Sequence, residues 1–322
     1  MNQSRREFLA SSVGLAAGSL LAGRELLART DDQQPIVDCH THFYDPTRPE
    51  GVPWTGKDDS TLYRTVLPKH FLEQAAKLGV TKTVVVEASP WVEDNAWLLK
   101  LAITNPSIVG VVGNLTPGKP MFADHLKQFA ANEIFRGIRI GQDTLRVGLE
   151  QVDFVADIRR LAEIGLELDV NGGPEMPVEV ARLAEKAPEL TIVINHLANV
   201  DVDGGPAPKE WMAAMRAAAK HANVFCKVSA LVEHAKPKSG DSKVPDDVDF
   251  YRPTLDGIWA IFGDDRLIYG SNWPVSDRYA PYSTVFSIVN EYVQARGATV
   301  AEKFFSKNSQ VAYRWSPSRG LT

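Results

Sequence analysis

The chain has 322 residues, 44% hydrophobic and 23% charged, with a formal net charge of −5. That length holds one large α/β barrel or two smaller domains, and the acidic balance excludes a basic nucleic-acid-binding surface. Only two cysteines are present, which excludes a disulfide-built scaffold.

In chain order, the first thirty residues stand apart. "SRREFLA" (4–10) precedes a mild apolar run, "SSVGLAAGSLLAG" (11–23). A charged start and a short apolar stretch describe an export signal, and Arg5-Arg6 with Phe8-Leu9 resembles the twin-arginine type. The run is shorter than the about 20 residues that cross a bilayer, so no stable membrane anchor is expected. We read 1–30 as a signal segment directing the protein to the periplasm and 31–322 as one domain.

From Pro35 onward, short apolar runs recur: "PIVDCH", "KTVVVEA", "IVGVVG", "FRGIRI", "LELDV", "TIVINH", "VFCKVS" and "RLIYGS". Helical spacing fills most of the intervals, as in "HFLEQAAKLG", "DNAWLLKLA", "FVADIRRLAEIG" and "VEVARLAEKA". Gly79 and Gly165 stand where helices should end. Eight strand–helix repeats predict a (β/α)8 TIM barrel, with one last helix over "VAEKFFSKNSQVAYRW". A doubly wound sheet is the rival, but the first strand lacks its glycine-rich turn. Cys39 and Cys226 sit in predicted strands and read as buried small side chains. Two long insertions, 44–68 and 232–253, follow strands one and seven and fall on the C-terminal face, where barrel sites are built. The first carries Trp54 and Tyr63, a lid over that face.

Polar residues cluster at the strand tips. His40 and His42 are two apart on the first strand, so both point into the barrel mouth, and two imidazoles there can hold a divalent ion such as Zn. His196 ends the sixth strand and Asn272 follows the eighth in "YGSNWPVS", where Gly270 permits close backbone approach. Arg139 and Lys227 are cations aimed at the mouth; the competing expectation is that Glu87 and Asp169 engage them. Asn171, Trp54 and Trp273 are taken as substrate-facing.

"DCHTHF", "FRGIRI", "VINHLANVD", "CKVSAL", "YGSNWPVS" and "KNSQVAYRW" together resemble the amidohydrolase superfamily, in its amidohydrolase-related branch with sugar-acid and pyrone-dicarboxylate lactonases. The resemblance implies that His40, His42 and His196 line a catalytic centre, with Zn in some members and no metal in others. It also implies an aspartate, metal ligand and proton acceptor, where this chain has Asn272, and often an aspartate at Asn195. An amide cannot accept a proton as a carboxylate does. The expected activity is hydrolysis of a lactone or related cyclic ester, of a carbohydrate acid by the resemblance, with weak or no metal. His196 is first choice as base, titrating at about 6 to 7, with Asp169 and Asp38 next and Arg139 or a metal on the oxyanion. The alternatives are a metal-dependent decarboxylase or hydratase, or a degenerate ligand-binding barrel.

Overall fold

The computed structural model describes residues 34–237 and 243–316. The expected signal, and residues 238–242 of the second insertion, lie outside the described residues. The strands are β1 (Ile36–Thr41), β2 (Val80–Val86), β3 (Ile108–Gly113), β4 (Phe135–Gly141), β5 (Glu167–Asn171), β6 (Ile192–Ile194), β7 (Val224–Val228) and β8 (Leu267–Tyr269). Each pairs in parallel with the next, in the order β1 to β8. Strands such as β3 are buried at every position, as required when one face meets the interior and the other meets helices.

The two sheet edges meet just past β8. Asn272 N donates to His40 O and His42 N donates to Trp273 O, both at 2.9 Å. The sheet thus curls into a nearly closed (β/α)8 barrel. Gly270 makes this approach possible. A Cβ there would lie 2.9 Å from His40 Cβ and 3.2 Å from Ser229 Cβ, distances at which side chains must be displaced.

The outer layer consists of α1 (Pro68–Ala75), α2 (Asp94–Thr104), α3 (Phe122–Ala130), α4 (Gln142–Gly148), α5 (Val152–Glu163), α6 (Pro177–Lys186), α7 (Lys209–Ala219), α8 (Val248–Phe262) and α9 (Tyr282–Ala295). In α5 the residues Phe154, Asp157, Ile158 and Leu161 are buried, one stripe at helical spacing. Burying Ile158 and Leu161 stabilises the packing by roughly 1.5–3 kcal/mol each, and Leu161→Ala removes that contact. Gly165 (φ 75°) reverses the chain after α5, and Gly79 (φ 81°) does so after a short 3₁₀ turn that extends α1.

Two segments differ from expectation. The second insertion ends early, because Asp247 caps α8 by accepting a hydrogen bond from Asp249 N at 2.9 Å. The closing segment is not one helix: α10 (Ala298–Glu302) passes through a π turn (Lys303–Lys307) into α11 (Asn308–Tyr313). The extra residue in that turn rotates α11 so that Tyr313 reaches the barrel interior and donates to Asp169 Oδ1 at 3.0 Å. Cys39 and Cys226 are buried and free. No helix among the described residues is long and apolar enough to cross a membrane.

Candidate active site

His40 lies on β1 and His42 just beyond its end, and strand alternation sends both to the mouth. Their ring centroids are 5.0 Å apart, and the His196 ring lies 4.3 Å from that of His40. His42 Nε2 approaches Asn272 Oδ1 at 3.3 Å. The four residues expected to converge do so, and all are buried.

His196 does not end a strand. β6 stops at Ile194, and His196, Leu197, Ala198 and Asn199 are all left-handed, with φ of 55°, 51°, 54° and 49°. Ala230 (φ 55°) and Asn272 (φ 61°) share this conformation. It costs non-glycine residues roughly 1–2 kcal/mol each, so other contacts must hold it. Here Trp211 Nε1 donates to Leu197 O at 2.7 Å, and Asn199 Nδ2 donates to Gly172 O at 2.8 Å. The strained turn places both the His196 ring and Asn199 on one cavity.

That cavity has a volume of about 660 Å³, and His42, His196 and Asn272 line it. So do Trp54, Arg139 and Asn171, as expected from sequence, and Glu233, which sequence reasoning missed. Arg139 is already engaged: its Nε donates to Glu87 Oε1 and a terminal nitrogen to Glu87 O, both at 2.8 Å.

Four expected site residues, and one expected lid residue, do not line the cavity. His40 is fully buried behind the rings of His42 and His196, which do line it. Lys227 and Asp169 are fully buried beneath His40, with Lys227 Nζ 2.5 Å from Asp169 Oδ2 and 3.3 Å from His40 Nδ1. Both point inward, but one layer too deep. Trp273 is also fully buried, its ring 6.4 Å from Phe43 and 5.9 Å from Phe71; it follows Asn272 and turns to the opposite face. Tyr63 is the lid residue that stands off the cavity.

Burial sets the electrostatics. It pushes the His42 imidazole down to about 3, helped by the Arg139 charge. Burial and then Arg139 hold His196 well below the ordinary imidazole range, and burial and then His196 do the same for His40. His196 therefore does not titrate between 6 and 7 as expected; all three rings are neutral at neutral pH. Glu233 moves the other way, pushed up to about 7 by burial against the opposing pull of its bond with Asn272.

Residues 37–315 match the family model described as Amidohydrolase (Amidohydro_2). The chain belongs to this amidohydrolase family. It is an enzyme, a hydrolase. It is 30% identical over 246 residues to an L-fucono-1,5-lactonase of Burkholderia ambifaria, spanning 74% of this chain and 80% of that protein. A zinc-bound amidohydrolase of Burkholderia multivorans superposes with a TM-score of 0.76 at 24% identity, covering 88% of this chain and all (100%) of that one. A Pseudomonas putida protein named for 2-pyrone-4,6-dicarboxylic acid hydrolysis does so at 0.70 and 19% identity, covering 88% and 98%. At these identities the two structures share the fold.

Amidohydrolases typically use a divalent metal, so the donor set must be tested against one. A ligating imidazole offers a bare nitrogen. His42 does: its Nδ1 donates to Val86 O at 2.9 Å, leaving Nε2 bare. His40 does not. An ammonium only donates, so Lys227 makes His40 Nδ1 the acceptor and puts the ring proton on Nε2. That Nε2 is buried and without a partner. Asn272 adds a neutral amide in place of a carboxylate, and no group of three or more His, Cys, Asp or Glu among the described residues is arranged to hold a metal. With His40 presenting a proton and an amide at 272, these side chains do not make a complete donor set for a divalent ion.

Proposed function

We propose that this protein opens the lactone of a carbohydrate acid by adding water to its carbonyl. One observation carries the reading: hydrogen-bonding roles divide across the mouth. Beneath it, behind the His42 and His196 rings that line the cavity, His40 carries Nε2–H, a buried donor with no partner. A carbonyl oxygen reaching it finds a preset donor for the negative charge that develops as water adds. At the mouth itself His42 Nε2 and Asn272 Oδ1 are two acceptors 3.3 Å apart. A water donating between them turns its lone pair toward the carbonyl.

The walls of the cavity favour a neutral sugar ring. Trp54 offers an aromatic face, and the amide nitrogen of Asn171 offers a group for a hydroxyl while Asn199 Nδ2 holds the Asn171 oxygen. Arg139 is held by Glu87, so a dicarboxylated pyrone would have to compete with a carboxylate for it. The likeness to the L-fucono-1,5-lactonase supports the same class.

A panel of aldono-1,5-lactones, aldono-1,4-lactones and 2-pyrone-4,6-dicarboxylate, read by proton release, tests this. Turnover of a neutral aldonolactone with kcat/KM of about 10⁴ M⁻¹s⁻¹ or more is expected. Opening of the dicarboxylate alone, or of none, would contradict the reading. With 1–30 as a twin-arginine signal, the hydrolysis takes place outside the cytoplasm; Arg5→Lys with Arg6→Lys should retain the protein inside, which fractionation reads.

A further inference from the structure

Asn272 deprives the mouth of a carboxylate at that position, yet a carboxylate touches it. Glu233, in the loop after β7, accepts a hydrogen bond on Oε1 from Asn272 Nδ2 at 2.9 Å. Its Oε2 is buried, has no hydrogen-bond partner, and the residue lines the same cavity as His42 and His196. A buried carboxylate oxygen left bare is costly unless a bound molecule serves it. A water donating to Asn272 Oδ1 stands beside the amide that Glu233 accepts from, in the cavity that both residues line.

We propose that Glu233 and Asn272 have exchanged the carboxylate and the amide of the hydrolytic centre, and that Glu233 Oε2 is the general base. This rests on the lactonase reading above. The other carboxylates at hand are committed. Asp38 Oδ1 accepts from His40 N and Ser271 N at 3.1 and 2.9 Å, and its Oδ2 from Tyr282 at 3.0 Å. Asp169 is held by Lys227 and Tyr313. The exchange also explains the amide. A second carboxylate at 272 would face Glu233 at hydrogen-bond distance, and one of the pair would have to take a proton. The amide instead donates to Glu233 and turns its oxygen toward His42. Asparagine also tolerates the left-handed backbone at this position.

The steps balance. Water transfers one proton to Glu233 Oε2 as its oxygen bonds to the lactone carbon, and the carbonyl electron pair moves onto the oxygen facing His40. When that pair returns, the bond from the carbon to the ring oxygen breaks. The ring oxygen takes the proton back from Glu233 and leaves as a hydroxyl, and the new carboxylic acid ionises in solvent.

The test is an exchange series on the full chain, assayed with whichever aldonolactone of the panel turns over fastest. Glu233→Gln should lower kcat by about 10²–10⁴-fold with KM little changed. Asn272→Asp alone should also lower kcat, and Asn272→Asp with Glu233→Gln should recover at least about tenfold over Glu233→Gln, since a base is restored across the same contact. Thermal melts of all variants show whether each is folded, and coupling between the two sites in those melts is expected. Glu233→Gln turning over within about threefold of wild type, or a double variant no faster than Glu233→Gln, overturns the proposal while the lactonase stands. A wild type that opens no lactone overturns both.

Discussion

Asp38 and Asp169 sit under the mouth, and Glu233 sits at its rim. Asp38 and Asp169 lie on strands, are fully buried, and have every oxygen bonded to a donor of the barrel itself. Glu233 lies on a loop that lines the cavity, leans on one neutral amide, and keeps one oxygen without a partner. Saturated carboxylates hold strands and tautomers in place; an unsaturated one beside a cavity is free to act on what enters. The contrast locates function better than burial alone, since Asp38 is also pushed up, to about 6, by burial while remaining fully bonded.

The sharpest way to break the contrast is through stability. Lys227→Met strands Asp169 as an unpaired buried charge and should cost about 3–5 kcal/mol in urea unfolding, whereas Glu233→Gln should cost less than about 1 kcal/mol. Equal losses would erase the distinction between the layers. Next is pH. The folded Glu233 carboxyl is raised to about 7 from an ordinary 4.5. Its contribution to stability is therefore full below pH 4.5 and lost as pH rises through 7. The melting temperature of Glu233→Gln relative to wild type should thus climb across that window; a flat difference would mean that the carboxyl is not raised. A smaller effect is expected at the wall: Trp54→Ala should raise KM about tenfold and leave kcat nearly intact, as read in steady-state kinetics. The smallest effect is the loss of metal. Dialysis against a chelator should change turnover by less than about twofold, with metal analysis showing less than one Zn per chain; a chelator-dead enzyme revived by Zn would refute the tautomer assigned to His40.

Much of this barrel was legible in the residues. Apolar runs mark all eight strands because parallel strands are buried on both faces, and the period-two rule puts His40 and His42 together. That rule says inward or outward and nothing about depth. Depth depends on how neighbouring strands are staggered, which is why Lys227 and Asp169 were expected at the mouth and lie below it. The left-handed run at 196–199 carries no glycine to announce it. Glu233 lies in an aperiodic loop, and only its contact with Asn272 singles it out. An unexplained amide at a strand tip was the available clue: a missing charge invites a search for where that charge went.

The seam of the barrel has a consequence for dynamics. The two amides that join its edges belong to His42 and Asn272, so the last link of the wall and the water-holding pair share a backbone. Local opening of that edge and disassembly of the reactive geometry are then a single event, with one free energy. Native-state hydrogen exchange at these two amides reads that free energy directly. A ligand gripping both side chains across the gap acts as a staple, and should slow exchange at the two amides by the factor 1 + [L]/Kd.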